Sequence, residues 1–234
     1  MALDLRGTPT GSGAASGASI TGTLPAGVTT NDVVYFWVWG KSASQTFSTP
    51  SGYTAVSGSP YGAGGEGKAA LFRKVAGASE SNPSTTVGDS ADRNRWIMIA
   101  IQGADTTTPE QDVDFVETTD YASSPAMPTS AAGGNTVWSV VFLACGRTAG
   151  ENPTWPSGWV EDLEVDAPDF TNRNFLARNT SPGTGSIGGG TITVATEPGQ
   201  EKVVQVLVKE AGAAAGVAKR STIINQAVNR AANW

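Results

Sequence analysis

The sequence predicts an all-β protein: a double-sheet jelly-roll β-sandwich built from two tandem repeat halves, with a short C-terminal helical tail. Three observations lead there. The 234 residues include 29 Gly and 13 Pro, and only 15% are charged, which fits many short strands joined by turns better than long charged helices. Apolar runs of strand length recur between those turns. The chain also repeats itself, because "NDVVYFWVWGKSASQTFSTPSGYTAV" from Asn31 to Val56 lies against "NTVWSVVFLACGRTAGENPTWPSGWVEDL" from Asn135 to Leu163. The correspondence runs on to Ala104 and Ala211 at an offset of about 104 to 107 residues, and self-similarity at a fixed offset decides architecture before any single motif does.

Taken in order, residues 1–17 are expected to be a flexible N-terminal segment, followed by a duplicated unit over 18–211 with halves at about 18–106 and 125–211. Each half should open on a short strand, Ala18 to Leu24 or Ala126 to Thr129. Val33 to Trp39 and Val137 to Ala144 are too apolar to alternate and short enough for strands buried on both faces. Pro50-Ser51-Gly52-Tyr53 and Pro156-Ser157-Gly158-Trp159 then supply matching turns. Next come Ala69 to Val75 or Asn174 to Arg178, with Arg73 opposite Arg178, and a Thr-rich strand at Ser84 to Val87 or Thr191 to Val194. In the closing strands, Ile97, Ile99 and Ile101, or Val204, Val206 and Val208, share one face. The twenty residues between the halves read as a connection, and two separate small sandwiches are the alternative architecture.

After Val208 the composition shifts to an Ala/Gly hinge, "KEAGAAAGVAKR", and then to "STIINQAVNRAANW". Ser221 is placed to cap a helix in which Ile223, Ile224, Ala227, Val228, Ala231 and Trp234 form an apolar stripe. A lone helix of this length is marginal in water, so residues 212–234 are expected to pack on their own sandwich or to anchor on a neighbouring subunit.

A net charge of −6 without a block of Lys or Arg argues against a nucleic-acid partner, since phosphate binding needs a concentrated cationic surface. No run approaches the length that spans a bilayer, and the start has no basic segment leading into an apolar one, so neither a membrane nor a signal peptide is expected. Histidine is absent, which removes the commonest general base and metal ligand. The single cysteine, Cys145, lies in an apolar run, where a thiol behaves as a small core side chain. No catalytic, cofactor-binding or metal-ligating residue is predicted, and the chain does not read as an enzyme.

Three features nevertheless carry chemistry. "YGAGGEGKAA", residues 61 to 70, holds both Gly62-x-Gly64-x-x-Gly67 and Gly62-x4-Gly67-Lys68, but a dinucleotide loop must open a helix, and Ala69 stands where a P-loop needs Ser or Thr. The second-half counterpart, "VDAPDFTNRN", lacks the glycines, so they are expected to be dispensable for the fold and the loop to be a hairpin connection whose Tyr61 and Glu66 make contacts. Carboxylates cluster at Asp112, Asp114 and Glu117, and at Glu161, Asp162, Glu164 and Asp166, without the spacing of a calcium loop. Tyr53, Tyr61 and Trp155 are the candidates for a glycan or contact surface, Trp155 and Trp159 bracketing a turn where a stacking platform would sit, although a large residue recurring at Tyr53 and Trp159 reads more simply as core.

At "TPSGYTAV", "LFRKVAGASESNPSTTV" and "WIMIAIQGADTTTP", and in their diverged second copy, the chain resembles duplicated jelly-roll proteins of tailed-bacteriophage virions. The resemblance spans roughly residues 18 to 211 and transfers no catalytic residue. It implies a non-enzymatic virion structural protein, such as a head-decoration, spike or tail-associated component, made in the host cytoplasm and acting through contacts with other virion proteins and copies of itself. Ile223, Ile224, Ala227, Val228 and Trp234 are the expected partner-binding residues. The alternative is a lectin-like module for host-surface glycans.

Overall fold

A computed structural model describes residues 1–14, 16–62, 67–90, 93–118, 124–145, 152–166, 173–193 and 201–212. Among them lie fifteen strands and no helix. The first half contributes β1 (Asp4–Leu5), β2 (Thr10–Ala14), β3 (Ser19–Thr21), β4 (Val33–Gly40), β5 (Thr54–Ala55), β6 (Lys68–Val75), β7 (Ser84–Thr86) and β8 (Asn94–Gln102). The second contributes β9 (Glu110–Glu117), β10 (Thr129–Ala131), β11 (Val137–Cys145), β12 (Val160–Val165), β13 (Arg173–Asn179), β14 (Ser186–Gly188) and β15 (Lys202–Lys209).

Every strand pairing is antiparallel. One principal sheet runs β1-β8-β4-β6-β5, with β2 also on β8, and the other runs β12-β13-β11-β15-β9. The core of the first, β8-β4-β6-β5, has the same order as β15-β11-β13-β12 in the second, and the two-stranded ribbons β3-β7 and β10-β14 correspond likewise.

The two principal sheets face each other across one apolar core. Strand alternation points Tyr35, Trp37, Ile97, Ile99 and Ile101 of one sheet and Val140, Phe142, Val204, Val206 and Val208 of the other into this layer. Trp37 stacks on Phe142 across it, with ring centroids 5.7 Å apart. Complete burial of a side chain of this size contributes roughly 1.5–3 kcal/mol, so this layer outweighs any single ion pair in the molecule.

The opposite faces are apolar too, which is why β4 and β11 read as continuous hydrophobic runs. Val34, Phe36, Val38 and Met98 pack under Ile20 and Val87 from the β3 and β7 side. Val141, Leu143, Phe175 and Val203 pack with Met127 and Ile192, and Ile187 of β14 packs with Leu207. Each principal sheet is thus covered on one face by the other sheet and on its second face by its own half.

Four expectations need correction. Residues 4–14 of the expected flexible segment are two strands on β8, with Leu5 opposite Ile101 and Thr10 opposite Met98. The expected connection between the halves contains β9, whose Val113 and Phe115 pack on the core. The second-half counterpart of the Thr-rich strand β7 is not Thr191 to Val194 but Ser186–Gly188, and Thr191 and Thr193 make only isolated bridges to Ala126 and Thr154. Gly62 and Gly67, on either side of residues 63–66, are both demanded by their surroundings. Gly62 and Gly67 have φ of +104° and +92°, where L side chains are strained, and a Cβ on Gly62 would lie 2.9 Å from Lys202 Cε.

Candidate functional site

Most of the chemistry-bearing side chains singled out in the sequence are engaged inside the sandwich. The Tyr35 hydroxyl donates to Glu110 Oε1 at 2.9 Å, and Arg73 Nη1 donates to Glu110 Oε2 at 2.8 Å. This network crosses from the first sheet to β9 of the second. Burial raises the Tyr35 pKa well above its ordinary value, and the negative charge of Glu110 raises it further.

The acidic clusters resolve into structural pairs. Asp112 accepts from the Ala131 backbone N–H at 2.8 Å, tying the β10 ribbon to β9, while Lys202 reaches Glu117 at 2.6 Å. In the second cluster Arg178 donates to Asp162 at 2.7 Å, Arg173 pairs with both Glu164 and Asp166, and Trp155 Nε1 donates to Glu161 Oε2 at 2.8 Å. Burial pushes the Asp162 carboxyl above the usual carboxylate range, and its bond from Arg178 opposes that rise. No group of three or more Cys, Asp or Glu side chains among the described residues is arranged to hold a metal ion.

Two of the three candidates for a contact surface are core residues. Tyr53 is 8% exposed and packs edge-on to Phe36 at 6.5 Å, under the Lys74 ammonium 5.7 Å from its ring. Tyr61 is 2% exposed and lies 5.1 Å from Phe115. Both rings fill the interior because a tyrosine at a strand or bridge position is a large apolar surface with one polar tip. Burial is the leading cause of the raised pKa in each. Glu66, Ile223, Ile224, Ala227, Val228 and Trp234 lie outside the described residues.

Trp155 differs from the two tyrosines. It is partly buried and stacks with Trp159, ring centroids 6.5 Å apart and planes within 24°. Beside this pair, between the Pro156-Ser157 turn, the end of β13 and β14, is a groove of about 240 Å³. Trp159, Pro156, Ser157, Asn179 and Ser186 line it. Its signal in the sequence was the Trp-x-x-x-Trp spacing. Asn179 and Ser186 carried none, because only the fold brings β13 and β14 to that turn.

The two ends of the sandwich also differ. Registers place Gly40 beside Lys68 and Asn94, and Ala144 beside Asn174 and Lys202, which itself lies opposite Glu117. The ends of β4, β9 and β11 and the starts of β6, β8, β13 and β15 therefore lie at one end. At the other end, Met1 and Gly212 border the same cleft, and Ala211 donates its backbone N–H to Gly103 O at 2.8 Å. No protein-family model matches the sequence, and comparison with curated proteins and with solved structures finds no significant match.

Proposed function

We propose that the protein is a non-enzymatic structural component of a virion, a duplicated jelly roll that acts through assembly contacts. The observation that carries this reading is the polarity of the sandwich. Gly212 lies at one end, beside Met1, and the ends of β4 and β11 with the starts of β6 and β15 gather at the other. A building block fixed by its tail and presenting loops at its far end needs that polarity. The common strand order of the two sheets supports an origin by duplication. The ion pairs around Arg73, Arg173, Arg178 and Lys202 support a scaffold role, because carboxylates held by cations inside a sandwich brace it and are poorly placed to exchange protons with a substrate.

The test is deletion of residues 213–234 in a particle-assembly assay, with mass photometry of the purified chain. Loss of incorporation, with the sandwich still folded, is the expected result. Normal incorporation of the truncated chain overturns the anchor.

A further inference from the structure

We propose that the groove beside Trp159 is a saccharide-binding site, formed in the second half and closed in the first. The assignment goes beyond the assembly reading and does not depend on it.

The sequence repeat sets Tyr53 against Trp159 and Lys74 against Asn179. In the first half, Lys74 extends over the Tyr53 ring and bonds Glu80 Oε2 at 2.5 Å, while Glu80 also accepts from the Gly77 N–H at 2.6 Å. That clasp holds the Lys74 ammonium over the tyrosine. In the second half the shorter Asn179 accepts from the Ser181 N–H through Oδ1 at 3.0 Å and cannot reach across. The segment that follows borders the groove through Pro182 and is tied to the β10 ribbon, Gly185 O accepting from the Ala132 N–H at 3.1 Å. The position that is sealed in one copy is therefore open in the other.

The open groove has the chemistry that a sugar ring requires. Trp159 contributes a limited apolar surface to a lining that is mainly polar, and Trp155, bonded to Glu161, stacks on it. Ser157 and Ser186 are exposed on the rim and present hydroxyls. The Asn179 amide, oriented through Oδ1, turns its Nδ2 donor toward the turn at Gly158, where a Cβ would lie 3.3 Å away. A mainly polar lining of amide and hydroxyl groups with one aromatic side chain, and no charged side chain in it, suits a neutral saccharide better than an anion. Backbone geometry fixes the floor as well, because a Cβ on Gly190 would come within 2.9 Å of Pro156 Cγ.

The experiment titrates the full chain with maltotriose, galactotriose, chitotriose and a decaproline peptide, following the Trp159 indole N–H resonance, assigned with Trp159→Phe. At least one trisaccharide should shift that resonance saturably at concentrations on the order of 1 mM. Asn179→Lys, which restores the first-half residue, should weaken binding about tenfold or more without moving the unfolding midpoint. Should the lysine variant lose stability, Asn179→Ala adds no bulk and should still weaken binding about threefold, as loss of one hydrogen bond predicts. The assignment is overturned if no trisaccharide moves the resonance at about ten times that concentration, if both variants bind like the parent, or if decaproline alone shifts it.

Discussion

Tyr35 of β4 and Glu110 of β9 meet across the space between the two principal sheets, the hydroxyl donating to the carboxylate at 2.9 Å. Arg73 completes the contact from the strand next to β4. Because both tyrosine and glutamate are held away from bulk water, losing either partner leaves the other with an unsatisfied polar group. Tyr35→Phe should cost about 1 kcal/mol and Glu110→Ala about 2–4 kcal/mol in urea unfolding. A Glu110→Ala variant as stable as the parent would show that the network does not hold the sheets together.

Alkaline pH should unfold the protein early. Tyr35, Tyr53 and Tyr61 all have raised pKa values, chiefly through burial. Above the unfolded value of about 10, the unfolded chain releases phenolic protons that the folded chain keeps. Stability is therefore fully present below pH ~10 and falls as pH rises, by up to about 1.4 kcal/mol per pH unit for each buried tyrosine. Denaturant titrations between pH 8 and about 11 measure this slope, and Tyr53→Phe should make it shallower.

Lys202 is fully buried against Glu117, with Gly62 passing close to its side chain. Lys202→Met should destabilise by about 2–4 kcal/mol, because it strands a carboxylate in a poorly solvated site. Lys202→Met combined with Glu117→Leu should recover most of that loss, and a thermodynamic cycle over the four proteins reads the coupling. Purely additive effects would count against a direct pair.

Two glycines of the second ribbon region should respond very differently to alanine. At Gly188 φ is +106°, and a Cβ would sit 1.8 Å from Pro128 O, so the β10-β14 ribbon must shift to accept it. Gly188→Ala should cost about 2–4 kcal/mol by both strain and overlap. Gly185→Ala, in open space, should stay within about 0.5 kcal/mol. Thermal melts of the two variants make the comparison.

The strands that were legible in the sequence are those whose apolar content exceeds what one face needs. "VVYFWVW" and "VWSVVFLA" announce burial on both sides, and "RWIMIAI" and "KVVQVLV" show the alternation of a closing strand. Edge strands were harder. "TGSGA" has no apolar residue beyond Ala14, and its glycines are there because a Cβ on Gly11 would meet Val165 Cγ2 at 2.4 Å and one on Gly13 the Arg95 side chain at 2.4 Å. "EQDVDFVE" does alternate, with Val113 and Phe115 inward, but its acidic residues resemble a solvated connection. Among the candidate site residues, Trp155 stood out by composition and spacing, and it stacks on Trp159, which lines the groove. Tyr53 and Tyr61 are core residues, which the recurrence of a large residue at Tyr53 and Trp159 favoured for the first and no local pattern indicated for the second.

By itself the sequence determined the all-β class and the main strands, because side-chain alternation and turn residues are local properties of the chain. Only the tertiary structure decided that the two principal sheets share one core, that residues 4–14 and β9 extend them, and which acidic residues are spent on internal cations. Those outcomes depend on contacts between residues far apart in the chain, and the energy of such contacts is set by shape and burial that no local pattern records. The same holds for the groove at Trp159, where Asn179 stands in the place that Lys74 has in the first half.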